Sequence, residues 1–97
     1  MDKKYLPIGS IVLLKNANKK VMVTGFYVKA AGFDRVFDYS GCVYPEGELS
    51  SKETRVFNND EIDKVIYKGY ENEEEESFKG RLYNAINIVE NIGNQIS

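Results

Sequence analysis

The chain has 97 residues with a formal net charge of −2 and an isoelectric point near 5.2, which fits one small domain with a narrow stability margin. It has no histidine and one cysteine, Cys42, which excludes His-dependent nucleophiles, His-containing metal sites, thiolate zinc clusters and CxxC redox chemistry. No internal disulfide can form, so a reducing cytoplasm is the expected location, and no apolar run is long enough to span a bilayer.

In chain order, Met1-Asp2-Lys3-Lys4 opens without the apolar core of a signal peptide. Ile8 to Leu14 reads as a first strand, apolar on both faces and so largely buried. A polar hairpin loop over Lys15–Lys19 leads to a second strand, Val21 to Val28. Gly25 interrupts that strand and predicts a bulge or sharp bend. After a turn over Ala30-Ala31-Gly32-Phe33-Asp34, Val36 to Tyr44 forms a third strand, with Gly41 as the expected bend. Pro45-Glu46-Gly47 ends it, because proline cannot donate to a ladder and glycine accepts positive φ. Glu48 to Arg55 reads as an irregular polar loop.

Val56-Phe57 then re-enters the core. Asn58 and Glu61 stand at capping-box spacing for a single helical turn, and Lys64 to Tyr70 is the last strand. The β-rich core is thus expected over 5–70, an acidic connector over 71–77, and a helix over 78–96 with Ser77 as N-cap. Phe78, Leu82, Ala85, Ile86, Val89, Ile92 and Ile96 form its apolar stripe. That stripe is read as covering the sheet, with presentation to a partner helix as the alternative. Tyr83 and Ile88 lie off its centre. The expected architecture is α+β: a small curled antiparallel sheet (an SH3-like, partly open barrel) followed by a C-terminal amphipathic helix.

Charge divides along the chain as +5 over residues 1–30, −3 over 31–70 and −4 over 71–97. The basic first third is the one feature that favours a nucleic-acid or other ligand, and the overall acidity argues against it. Ser40-Gly41-Cys42 suggests a nucleophile on a bend, yet Asp34 and Asp38 are the charges near it in sequence. They would raise a thiol's pKa, not lower it, so Cys42 reads as a core residue. Asp34, Asp38 and Glu46 read as turn carboxylates rather than a catalytic pair. Asp60-Glu61-Ile62-Asp63 lacks the calcium-loop pattern, and the glycines form no phosphate-binding motif. No cofactor and no enzymatic activity are expected.

Seven tyrosines stand against no tryptophan. Tyr39, Tyr44, Tyr67 and Tyr70 fall near strand ends, where a ring that is half apolar and half wet suits an interface. With Glu46, these four are the candidate partner-binding residues.

The order of landmarks carries a resemblance. "LPIGSIVLLK", "KKVMVTGFYV", "FDYSGCVYPEG" and "FNNDEIDKVIYKGY", followed by an acidic stretch, resemble a short family of Gram-positive bacterial proteins encoded beside type VII (ESX/Yuk-like) secretion genes and their LXG-type toxins. The similarity runs from about Leu6 to Glu76. It implies a non-enzymatic cytoplasmic accessory protein, an adaptor or chaperone-like targeting factor for a secreted toxin. An immunity-like or regulatory protein that neutralises a toxin is the alternative. The resemblance carries no catalytic residue. Self-association through the sheet edge or the helix is left open.

Overall fold

The computed structural model describes residues 5–30 and 32–96, with side chains described as far as Ile92. The readings made at Met1–Lys4, at Ala31 and for the Ile96 side chain therefore lie outside the described residues. Five strands, β1 (Ile11–Leu14), β2 (Lys20–Lys29), β3 (Val36–Val43), β4 (Arg55–Phe57) and β5 (Ile62–Tyr67), precede one helix, α1 (Glu73–Ile96). Short 3-10 turns occupy Ser51–Glu53 and Asn59–Glu61. The strands form one open antiparallel sheet in the order β4-β3-β2-β1-β5, with the second 3-10 turn between β4 and β5. This is the α+β architecture expected from the sequence.

The first strand begins later than its apolar run suggests. Ser10 N–H donates to Pro7 O at 3.1 Å, and Gly9 in the turn has φ +89°. Ile8 is therefore left half-exposed, and pairing starts at Ile11. In β2 the register steps from Val23 opposite Gly41 to Gly25 opposite Ser40, so Thr24 is the extra residue of a bulge. The bulge reverses the alternation of side chains. Val21, Val23 and then Phe26 all point to the core, which they share with Tyr5, Val12, Tyr39 and Phe57.

Gly41 does not bend β3, contrary to the sequence reading, since the strand runs unbroken through it. A Cβ there would lie 2.6 Å from Met22 O and 2.8 Å from Val21 Cγ1. The glycine is required by close packing, not by a kink. The polar loop after Pro45 is also more ordered than its composition suggests. It contains the Ser51–Glu53 turn, and Thr54 Oγ1 donates to Glu48 Oε1 at 3.0 Å. The capping box at Asn58 and Glu61 is present.

The expected connector over 71–77 is mostly helix. Asn72, not Ser77, caps α1: Glu75 N–H donates to its Oδ1 at 2.9 Å and Glu76 N–H to its carbonyl at 3.0 Å. Four glutamates then fill the first turn, where the helix dipole favours them. The face that meets the sheet is Glu75, Lys79, Leu82, Tyr83 and Ile86, the only helix side chains at least partly buried among the described residues. The sequence stripe is thus rotated. Tyr83 belongs to the covered face, while Phe78, Ala85, Val89 and Ile92 are exposed.

A polar residue anchors this contact. Lys79 Nζ lies 2.6 Å from Glu75 Oε2, donates to Tyr5 O at 2.8 Å, and sits 5.0 Å from the centroid of the Phe26 ring. A buried ammonium with these three partners holds the helix. Without them a buried ammonium would be left unpaired, at a large desolvation cost.

Two substitutions test this account in urea unfolding. Lys79→Met is expected to cost about 3–5 kcal/mol, because it strands the Glu75 carboxylate. The double change Glu75→Leu, Lys79→Met should recover most of that loss, remaining short by about 1 kcal/mol for the hydrogen bond to Tyr5. Gly41→Ala should cost about 1–3 kcal/mol through overpacking, with an unchanged denaturant slope.

Candidate functional site

Of the candidate partner-binding residues, Tyr39 does not belong at a rim. It is 0% exposed and stacks on Phe57 at 5.2 Å between ring centroids. Its hydroxyl accepts from Leu6 N–H at 2.9 Å and donates to Asn59 Oδ1 at 2.6 Å. Burial pushes this phenol's pKa up. A tyrosine near a strand end is wet only if the chain leaves that end uncovered. Here the segment Tyr5–Pro7 and the 3-10 turn at Asn59 close over it.

Tyr44 and Tyr67 do come together. Antiparallel pairing sets Ile11 opposite Tyr67, and Tyr44 N–H donates to Lys20 O at 2.9 Å. With Ile66 these residues line a shallow depression of about 340 Å³. Tyr44 is 41% exposed and Tyr67 60%. Tyr70, 76% exposed, stands three residues beyond Tyr67 and does not line the depression. Glu46 flanks the same end of the sheet, paired with Lys19 at 2.6 Å. The hydrogen bond from Lys19 holds its carboxyl below the usual glutamate range.

The depression is the shallow part of a larger apolar border. β5 has only β1 as a neighbour, and Val65, Ile66 and Tyr67 are each about half-exposed or more. Ile66 is the extra residue of a bulge, since Ile11 pairs with Tyr67 and Val12 with Val65, and Ile66 and Tyr67 line the same depression. The outer backbone edge of β5 has no strand beside it in the sheet. The sequence reading found the tyrosines and missed Val65 and Ile66. In the sequence they look like ordinary core residues of a central strand, and only the strand order places them at an edge.

A second concavity, about 570 Å³, was not anticipated. It lies where the β2–β3 turn, the Asn59 turn and α1 converge, and is lined by Tyr27, Arg35, Asp38, Asn58, Asp60 and Glu90 among others. Asp38 is buried and already engaged. It accepts from Asn59 N–H at 2.8 Å and from the Tyr5 hydroxyl at 3.3 Å. Burial first, then the Asp38 charge, pushes the Tyr5 phenol well above its ordinary value. Arg35 lies over the Phe37 ring at 4.6 Å. These groups tie the sheet to its turns.

Cys42 is buried on β3, and the Ser40 hydroxyl meets Thr24 Oγ1 at 3.4 Å. Among the described residues no three His, Cys, Asp or Glu side chains are grouped to hold a metal ion. No helix among them is long and apolar enough to cross a membrane.

No curated protein and no solved structure matches the chain. Residues 5–78 match the model of a family described as a domain of unknown function (DUF4176). The match takes in every strand, the Tyr44–Tyr67 depression and the first turn of α1, and ends before Lys79. With most of its length matched, the chain belongs to the DUF4176 family.

Proposed function

We propose that this protein is a non-enzymatic cytoplasmic accessory factor that binds a protein partner through the β5 border. In this reading it is an adaptor or chaperone-like targeting factor for a type VII secreted, LXG-type toxin. The observation that carries the reading is β5 itself, an edge strand on which Val65, Ile66 and Tyr67 are each about half-exposed or more. Monomeric domains usually blunt such edges with charge, proline or a covering element. An extended toxin segment would add to β5 by main-chain hydrogen bonding. One of its apolar side chains would fill the depression between Tyr44 and Tyr67. The genomic association implied by the resemblance supplies the class of partner. The border supplies only a means of binding one.

One observation favours the immunity-like reading. Glu71, Glu73, Glu74 and Glu76 are all exposed where the chain enters α1, a concentrated acidic surface suited to covering a basic site on a toxin. The two readings part on phenotype: a targeting factor supports export, and an immunity protein protects cells.

Co-expression with the LXG toxin encoded beside its gene, followed by affinity capture, is the direct test. A stable complex is expected. Ile66→Ser with Tyr67→Ser should weaken it at least about tenfold, as loss of a central anchor does, without changing the folded state. Deletion of the gene should abolish toxin export and leave resistance to the toxin intact. Absence of any complex would sink the proposal, and loss of resistance with normal export would establish the immunity role in its place.

A further inference from the structure

The rotation of α1 leaves an apolar flank whose spacing has its own meaning. Phe78, Leu82, Ala85, Val89 and Ile92 are separated by four, three, four and three residues, and the sequence carries the series on to Ile96. This is a heptad seam of period 3.5, with Leu82, Val89 and Ile96 at one core position and Phe78, Ala85 and Ile92 at the other. At about 100° per residue, the seam lies about a quarter-turn round the axis from the face formed by Glu75, Lys79, Tyr83 and Ile86. Leu82 lies between the two faces and is half-buried against the core. The other seam residues are exposed, and Ile88 beside them is 59% exposed. Ser77, Asn84, Asn87 and Asn91, all exposed, form a third, polar side. The sheet therefore covers one face of the helix and touches the start of the seam, where the Phe78 ring lies 6.0 Å from Phe26 and Leu82 packs on the core, while Ala85, Val89 and Ile92 are exposed.

We infer that this seam is covered by the α1 helix of a second copy of the chain, packed antiparallel about a two-fold axis near Asn87. Three features select that occupant. A 3.5 repeat is filled by another helix through knobs-into-holes packing, so the occupant is helical. The seam is also complementary to itself. In an antiparallel pair centred at Asn87, Ala85 faces Val89 of the second copy and Leu82 faces Ile92, so small opposes large and every seam position meets another. Ile88 meets its own counterpart beside the axis.

The third feature is charge. Glu73, Glu74, Glu75 and Glu76 crowd the first turn of each helix. Parallel pairing would set the two clusters side by side. Antiparallel pairing separates them by about 37 Å at 1.5 Å rise per residue, several times the roughly 8 Å screening length in physiological salt. It also opposes the two helix dipoles. The β5 border plays no part in this contact, so the inference goes beyond the partner-binding role proposed above and stands or falls separately from it.

Sedimentation equilibrium on the full chain tests the inference. A species of twice the 11.1 kDa chain mass is expected in the micromolar range. Val89→Glu, at a position already half-exposed in the single chain, should weaken dimerisation at least about tenfold with the far-UV circular dichroism and thermal midpoint retained. Ile66→Ser with Tyr67→Ser should leave the dimer intact. Orientation is read by oxidation. Ile88→Cys should form a disulfide-linked dimer, and Arg81→Cys, about 18 Å from its counterpart along the axis, should not. A monomer throughout the micromolar range, a dimer that survives Val89→Glu, or cross-linking through Arg81→Cys would each overturn the inference.

Discussion

Sheet and helix meet through Tyr5. Its ring lies edge-on to Phe26 at 5.7 Å and to Tyr39 at 5.5 Å, and stacks on Tyr83 of α1 at 5.9 Å. Its backbone N–H donates to the Tyr83 hydroxyl at 3.1 Å, and its carbonyl accepts from Lys79. One residue thus satisfies the polar groups of the helix face and fills the apolar gap beneath it. A sheet this small buries little area by itself, and the segment around Tyr5 supplies the missing layer. The helix orientation follows from it. Lys79 must reach the Tyr5 carbonyl, so the face carrying Glu75 and Lys79 turns inward and the most apolar face of the helix is left beside it.

This explains where sequence reasoning succeeded and where it did not. Local signals were sound. Gly25 marks the bulge, Asn58 and Glu61 form the capping box, and the apolar run from Val21 to Val28 gives a strand. Each depends on chemistry within a few residues. Most of the failures depend on residues far apart in sequence. Hydrophobic periodicity ranks helix faces by apolarity, so it passed over the face that a buried ion pair holds against the sheet. Tyr39 was placed at a rim because strand ends are often wet. Leu6 and Asn59, 33 and 20 residues away from it, make it a core residue. Gly41 resembles a hinge in sequence, and only the approach of the Met22 carbonyl shows that its role is to leave space. The helix start was placed at Ser77 because an acidic run reads as a solvated linker. Glutamate is nonetheless a good helix former, and with Asn72 as cap those residues become the first turn.

The two apolar surfaces differ in how the rest of the molecule relates to them. The β5 border lies wholly within the residues that match the family, together with Tyr44 and Lys20. Its exposure follows from strand order, which places β5 beside β1 and nothing beyond it. Any chain with this sheet has such an edge. What varies is the side chains on it, and here Val65, Ile66 and Tyr67 follow the charged Asp63 and Lys64. The edge is thus open because of the fold, and apolar over residues 65–67 because of the sequence.

The α1 flank has the opposite origin. Apart from Phe78, its residues lie past the end of the family match. They are exposed only because Lys79 and Tyr83 turn another face to the sheet. The buried ion pair therefore has an effect beyond stability. Well-packed apolar residues at 75 and 79 would come within about 1 kcal/mol of the same stability. They would also make the sheet-facing side of the helix as apolar as its flank, and the helix could settle on the sheet by either face. A Lys79 ammonium, paired with Glu75, that finds its other partners only at the Tyr5 carbonyl and the Phe26 ring removes that ambiguity. The ionic contact fixes which way the helix turns, and so leaves Ala85, Val89 and Ile92 exposed beside the covered face.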